Sequence, residues 1–244
     1  MAHFYFSEQV TGVVVGDRLL LAGDEGRHAA LVSRMRVGER TTVGDGLGRV
    51  ATAEAAVVSK DMVELEVVDI AVTPEPRPRI TLVQALAKGG RDELAIQAAT
   101  ELGVAAVAPW QAARSVIRWE GRRAETGAAR WAGIVREASK QAMRPWAATG
   151  LPLLSTADVV ALAGRTTTVV LDPDAAGRLA DAVPADVEDL VLVVGPEGGI
   201  APDELERLTA AGARAARLGP TVLRTSTAGP AALAALAVTL NLWP

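Results

Sequence analysis

The rhythm of apolar positions changes once along this chain. In residues 1–72, short β-branched runs at 13–15, 41–43, 57–58 and 63–68 alternate with the turn signals Gly16-Asp17, Gly23-Asp24 and Gly44-Asp45-Gly46. That pattern predicts a small β-barrel with one helical interruption at 25–35, where Ala29, Leu31, Val32 and Met35 can share a face. Residues 73–79, Thr-Pro-Glu-Pro-Arg-Pro-Arg, hold three prolines in seven positions. Each fixes φ and removes a backbone donor, so no helix or central strand crosses this stretch, and it is the expected domain boundary. In residues 80–244 the apolar runs at 80–85, 104–108, 167–171, 190–194 and 215–218 alternate with helical patterns at 92–102, 128–143 and 202–211 and a final Ala/Leu helix to 242. Near-continuous apolar strands separated by helices predict an α/β domain with a parallel sheet covered on both faces. Within 128–143, Trp131, Ile134, Val135, Ala138 and Ala142 fall on one side, with Arg136, Lys140 and Arg144 opposite. Trp131 is therefore expected in the core rather than as a platform for a base.

Composition narrows the class. With 244 residues, half of them apolar, the chain has ample material for a core. It shows neither a leader-like N-terminal segment nor an apolar run of spanning length, so a cytoplasmic protein without a membrane partner is expected. Zero cysteines exclude disulfides and thiolate metal sites, and two histidines leave little for zinc, so no metal is expected. A formal charge of −4 argues against an indiscriminate nucleic-acid binder. The charge is nonetheless uneven: residues 27–49 carry five arginines against two acids, and residues 114–144 carry eight basic residues against three acids. Two basic tracts on an acidic chain predict directed contact with something anionic, set against the plainer reading of two solvated faces.

The last fifty residues carry the chemistry. The run 190–194 enters Gly195-Pro196-Glu197-Gly198-Gly199-Ile200, and one short helix later Leu218-Gly219-Pro220 leads to Val222-Leu223-Arg224-Thr225. Two glycine-bearing strand ends so close together predict a pocket walled mostly by backbone, since glycine lets main-chain N–H and C=O groups approach a ligand directly. Pro202, Asp203 and Glu204 open the following helix. Those acids and the absence of phosphate-binding glycine patterns favour a neutral or cationic ligand.

Taken together, Gly195-Pro196-Glu197-Gly198-Gly199 and Leu218-Gly219-Pro220-Thr221-Val222-Leu223-Arg224-Thr225-Ser226-Thr227-Ala228 resemble the paired signature of SPOUT-class methyltransferases. More closely, they resemble the family that methylates N3 of a uridine in 16S ribosomal RNA (RsmE). Three further stretches extend the resemblance along nearly the whole chain: Thr100-Glu101-Leu102-Gly103-Val104; Arg136-Glu137-Ala138 with Gln141 and Arg144; and His28, Val32, Arg34 and Gly38. Two positions depart from the family pattern, Ala98 in place of lysine and Ser226 in place of glutamate. The resemblance implies a SPOUT-type parallel sheet whose C-terminal segment forms a trefoil knot, an exception to the rule against threaded chains. It also implies an N-terminal PUA-like RNA-binding β-barrel over 1–72, a methyltransferase domain over 80–244, S-adenosylmethionine as cofactor, a homodimer, and 16S RNA of the 30S subunit as substrate.

On that reading, Leu171, Val194, Gly195, Pro196, Glu197, Gly198, Gly199, Ile200, Leu218, Gly219 and Leu223 form the cofactor slot. Methylating uridine N3 also needs the weakly acidic N3 proton removed and the resulting anion stabilised. Arg224 is the candidate, because a guanidinium near uracil O2 or O4 stabilises charge and keeps its own proton; a phosphate clamp or an ion pair is the competing role. Glu197, beside a helix N-terminus, is expected to orient rather than act as a general base. His28, Arg34, Arg36, Arg114, Arg118 and Arg144 are the candidate RNA contacts. Two other functions fit the same features: a SPOUT ribose 2′-O-methyltransferase, and a non-catalytic RNA-binding assembly factor, the latter suggested by Ser226.

Overall fold

A computed structural model describes residues 3–243. The chain divides into two compact units, one running up to Glu75 and including Ser139–Ala147, the other made of Pro76–Ala138 and the chain from Ala148 onward.

The first unit is a five-stranded sheet of β1 (Phe4–Phe6), β2 (Arg18–Leu21), β3 (Arg40–Gly44), β4 (Arg49–Val58) and β5 (Val63–Val72), in the order β1-β3-β4-β5-β2. β1 lies parallel to β3 and the other pairs are antiparallel. Ala51, Ala53 and Ala55, at alternate positions of β4, face a core with Tyr5, Leu19 and Leu65, the period-2 burial of a half-covered sheet. Residues 139–147 belong to this unit through backbone bonds from Gly48 N–H to Pro145 O (3.0 Å) and from Ala147 N–H to Gly46 O (3.0 Å). Trp146 Nε1–H also donates to Thr73 O at 2.8 Å, and Lys140 pairs with Glu25 at 3.1 Å.

Two expectations for this unit need correction. The β-branched run 13–15 forms no strand: Val14 and Val15 are exposed, and the strand begins at Arg18. The interruption at 25–35 is a short helix α1 (Gly23–Arg27) followed by a π-helical turn, His28–Val32. That wider turn breaks the 3.6-residue period, so Ala29 and Met35 are buried while Leu31 and Val32 are exposed. Arg34, in the left-handed region at φ 53°, ends it.

The second unit holds β6 (Arg79–Ala85), α2 (Arg91–Glu101), β7 (Ala106–Trp110), α3 (Arg122–Gln141), β8 (Thr149–Gly150), α4 (Thr156–Ala163) and β9 (Thr167–Leu171). It continues through α5 (Leu179–Ala182), β10 (Asp189–Val194), α6 (Pro202–Ala210), β11 (Arg214–Ala216) and α7 (Thr225–Thr239). Its six strands are all parallel, in the order β11-β9-β10-β6-β7-β8. Successive residues of the central strands point to opposite faces. Leu82 and Leu192 pack with Ile96, Trp131 and Leu233 from α2, α3 and α7, whereas Val83 and Val193 pack with Val159 and Leu208 from α4 and α6. Both faces are covered, which is why these strands read as unbroken apolar runs. Trp131 is 2 % exposed, a core residue. Sequence periodicity missed α4, whose start is set by Ser155 and Asp158 capping each other's backbone N–H groups.

Candidate functional site

The C-terminal ends of β9, β10 and β11, three neighbours in the sheet, open into a cavity of about 670 Å3. Loops beyond the carboxyl ends of parallel strands are where such sheets bind ligands, because the connections diverge there. Every residue expected in the cofactor slot lines this cavity: Leu171, Val194, Gly195, Pro196, Glu197, Gly198, Gly199, Ile200, Leu218, Gly219 and Leu223, with Arg224 beside them.

Side chains from distant parts of the chain hold the backbone wall in place. Thr225, buried at the first position of α7, donates its hydroxyl to Gly195 O at 2.8 Å and accepts from Gln84 Nε2 at 2.8 Å. One hydroxyl thereby ties β6, the end of β10 and the start of α7. At Gly198 the carbonyl accepts from Arg114 Nη1 at 3.0 Å. The Glu197 carboxylate accepts from Arg91 Nη1 at 3.1 Å and from Lys88 N–H at 3.2 Å, so it points away from the role of a free base and toward the turn before α2. Gly199 has a φ of 71°, a conformation that favours glycine. At Gly219 a Cβ would meet nothing within 4 Å, whereas at Gly195 it would stand 2.7 Å from Ile200 Cγ1.

Arg224 is exposed at the N-cap of α7, and its guanidinium makes no hydrogen bond or ion pair among the described residues. Capping by Ser226 or Thr227 does not occur; the Arg224 carbonyl takes the first bonds, from Thr227 and Ala228 N–H. The acids at the start of α6 also act differently from their reading as a barrier to anions. Glu204 is 2 % exposed and does not line the cavity: its carboxylate accepts from Thr156 Oγ1 at 2.6 Å, Ala113 N–H at 2.9 Å and Ala201 N–H at 3.4 Å. The acids that do line the cavity with Glu197 are Asp172 and Asp174.

The expected RNA contacts separate. His28, Arg34 and Arg36 lie in the first unit, His28 half-buried with its ring 5.8 Å from Tyr5 in a T-shaped contact, Arg34 and Arg36 exposed. Arg114 belongs to the cavity wall, and Arg118 braces its own loop by donating to Ala113 O at 2.9 Å. Arg144 lies in the segment packed with the first unit, where burial pulls its guanidinium down to about 10. Arg91, Gln84, Asp172 and Thr225 were missed in sequence. Arg91 follows the Gly89-Gly90 turn and Thr225 sits inside the second glycine motif, which are the signals that could have pointed to those two.

Comparison with known proteins defines the class. Residues 73–237 match the model of the RNA methyltransferase domain, and residues 21–68 match that of the RNA methyltransferase PUA domain. The chain is therefore an RNA methyltransferase with a PUA domain. The ribosomal RNA small subunit methyltransferase E of Mycobacterium bovis is 46 % identical over 226 residues, covering 91 % of this chain and 86 % of that protein. The Bacillus subtilis protein of the same name is 31 % identical, with 88 % of each covered. A crystal structure of the Neisseria gonorrhoeae enzyme of that name, bound to S-adenosyl methionine, superposes with a TM-score of 0.87 at 30 % identity, over 100 % of this chain and 98 % of that one. The chain belongs to the ribosomal RNA small subunit methyltransferase E family.

Proposed function

We propose that this protein transfers the methyl group of S-adenosylmethionine to N3 of a uridine in 16S ribosomal RNA of the 30S subunit. The carrying observation is the pairing, at one cavity, of a backbone wall tied to distant elements with a guanidinium that the protein leaves unbonded at its rim.

The residues fit the cofactor. A cavity of about 670 Å3 is of the size that encloses a nucleoside-sized ligand. Leu171, Ile200, Leu218 and Leu223 offer apolar surface to adenine, and the main-chain groups of residues 194–200 and 218–223 offer donors and acceptors to its edge. Asp172, Asp174 and Glu197 supply negative charge toward a sulfonium and an ammonium, and Arg91, Arg114 and Arg217 supply positive charge toward a carboxylate. Bound there, S-adenosylmethionine supplies an electrophilic methyl group. Forming the N3–CH3 bond breaks the S–CH3 bond and leaves S-adenosylhomocysteine, while the N3 proton passes to solvent water. Arg224 stabilises the negative charge that spreads onto O2 and O4 as it does so. Glu197, fixed by Arg91 and Lys88 N–H, orients the glycine loop and takes no proton. Uridine N3 pairs within a duplex, so the target base is single-stranded or flipped out when it enters.

The same reading gives residues 1–72 the role of an RNA-binding PUA-like domain and residues 80–244 that of the methyltransferase domain, whose C-terminal segment is knotted. It makes the enzyme a cytoplasmic homodimer. None of the described helices is long and apolar enough to cross a membrane. Nucleoside mass spectrometry of 16S RNA from cells with and without the gene tests the reaction. Loss of one N3-methyluridine is expected; loss of a 2′-O-methyl nucleoside instead, or no change, would overturn it. Calorimetry with S-adenosylmethionine separates an enzyme from a non-catalytic assembly factor.

A further inference from the structure

A second cleft, of about 590 Å3, lies in the same unit where the loop after β7 meets α3, lined by Val116, Arg118, Trp119, Arg122, Arg123 and Arg130 among others. No carboxylate lines it. Arg130 is held by Glu93, with Nη2 donating at 2.7 Å, and Arg118 is partly spent on Ala113 O. Arg122 and Arg123 are exposed, and their guanidiniums make no hydrogen bond or ion pair among the described residues. Both sit in the first turn of α3, where the helix dipole disfavours cations. Folding alone gains nothing from such a placement.

The aromatic residue is set by local packing. Trp119 is half-buried, its ring T-shaped against Trp131 with centroids 5.7 Å apart. It lies so close to α3 at Gly127 that a Cβ there would stand 2.5 Å from the indole. Glycine inside a helix costs about 1 kcal/mol relative to alanine, and here it makes room for the ring. The loop that presents Trp119 is ordered: Trp119 N–H donates to Gln111 Oε1 at 2.7 Å, and Ala113 N–H to the buried Glu204 at 2.9 Å.

We propose that this cleft docks a single-stranded stretch of the RNA substrate, with a base against Trp119 and phosphates at Arg122 and Arg123. Unpaired guanidiniums around an apolar floor of the half-buried indole and the exposed Val116 complement a chain that alternates phosphate with flat apolar rings. Position supports the assignment. Arg118 is four residues from Arg114, which touches the glycine loop, so their backbones lie within about 14 Å of each other. A strand whose target base enters the first cavity therefore passes within reach of the second. The proposal rests on the RNA methyltransferase reading and names where flanking RNA is held.

The test is anisotropy of a fluorescein-labelled, mixed-sequence single-stranded oligoribonucleotide bound by the full chain at several salt concentrations, comparing the parent with Arg122→Gln/Arg123→Gln. Neither substituted side chain is packed, so the variant is expected to fold, with circular dichroism and S-adenosylmethionine affinity unchanged. Single-strand binding varies with salt with a slope of about 0.7 per phosphate, so removing two contacts should make the slope shallower by about 1.4. Trp119→Leu should weaken binding about 5- to 150-fold, the range for loss of one stacked base. An unchanged slope in the arginine variant overturns the proposal, as does a shift from dimer to monomer with RNA binding intact, which would make the cleft a contact between copies. A parent that binds no S-adenosylmethionine defeats the functional reading instead, and the salt slope still judges the cleft.

Discussion

Removing the Glu204 carboxylate should destabilise the protein by about 4 kcal/mol, and replacing it by an amide by about half as much. Glu204 is 2 % exposed, and both of its short bonds, from Thr156 Oγ1 at 2.6 Å and Ala113 N–H at 2.9 Å, go to the same oxygen, Oε1. Bonds to a charged acceptor contribute about 1.5–3 kcal/mol each, so losing two in Glu204→Ala gives about 4 kcal/mol near the middle of the range. In Glu204→Gln the amide oxygen can keep both partners, though neutral bonds are roughly half as strong. The NH2 group then faces only the Ala201 N–H, at the long distance of 3.4 Å. Urea denaturation at pH 7 with a constant m-value measures both changes. The site should register the difference as well, because Ala113 precedes Arg114, whose Nη1 holds the Gly198 carbonyl. Calorimetry should find S-adenosylmethionine affinity within about threefold of the parent for Glu204→Gln and about tenfold weaker for Glu204→Ala, a loss of 1.4 kcal/mol. A loss of stability below about 1 kcal/mol in Glu204→Ala, the size of one ordinary neutral hydrogen bond, would refute the reasoning.

Gly219→Val should weaken S-adenosylmethionine by tenfold or more while leaving the urea midpoint in place, since a Cβ there meets no protein atom and projects into open space. Gly195→Val is the poorer probe, because its Cβ would strike Ile200 and disturb the loop itself. Arg224→Lys should keep cofactor affinity but lose on the order of 100-fold in single-turnover methylation, as lysine keeps charge but not the planar fork; a rate within about threefold would reduce Arg224 to a binding residue. Burial raises the carboxyl of Asp92 above its ordinary value, a shift that bonds from Ala87 and Glu93 N–H partly offset. A raised folded value adds stability at low pH that is lost as pH rises through it. Denaturation across that window should therefore show the parent falling relative to Asp92→Asn as pH increases, and a difference flat with pH would be contrary.

Much of this architecture was readable because its signals are local. The runs at 80–85, 167–171 and 190–194 became β6, β9 and β10 almost to the residue, since strands buried on both faces leave continuous apolar sequence. The glycine turns named the cavity for the same reason, Gly195 directly after β10 and Gly219 three residues after the end of β11. What the sequence concealed depends on partners far along the chain. Glu204 looked like an ordinary acid at a helix start, and only Ala113 and Thr156, 91 and 48 residues away, make it a buried tether. Gln84 reads as one polar residue ending an apolar strand, yet its partner Thr225 is 141 residues distant. The helical interruption expected at 25–35 is present, but the apolar face expected of it is not, because apolar spacing alone does not separate a 3.6-residue turn from the wider turn at His28–Val32.

These long-range ties explain how a pocket built of glycines can be specific. Glycine removes side chains that would block a ligand, but it also loses the most conformational freedom on folding, so an unsupported glycine loop would be ordered only at the expense of binding energy. Here the ordering is done from outside the loop, by Thr225 on Gly195, Arg114 on Gly198, and Arg91 with Lys88 N–H on Glu197. Each support comes from a different element, and Arg91, Arg114 and Thr225 line the cavity beside the main-chain groups they hold. The Arg224 guanidinium, which makes no hydrogen bond or ion pair among the described residues, stands beside this wall. Rigid backbone suits a cofactor that is the same in every turnover. A long unbonded cation suits a base that must arrive out of a folded RNA, develop charge, and leave.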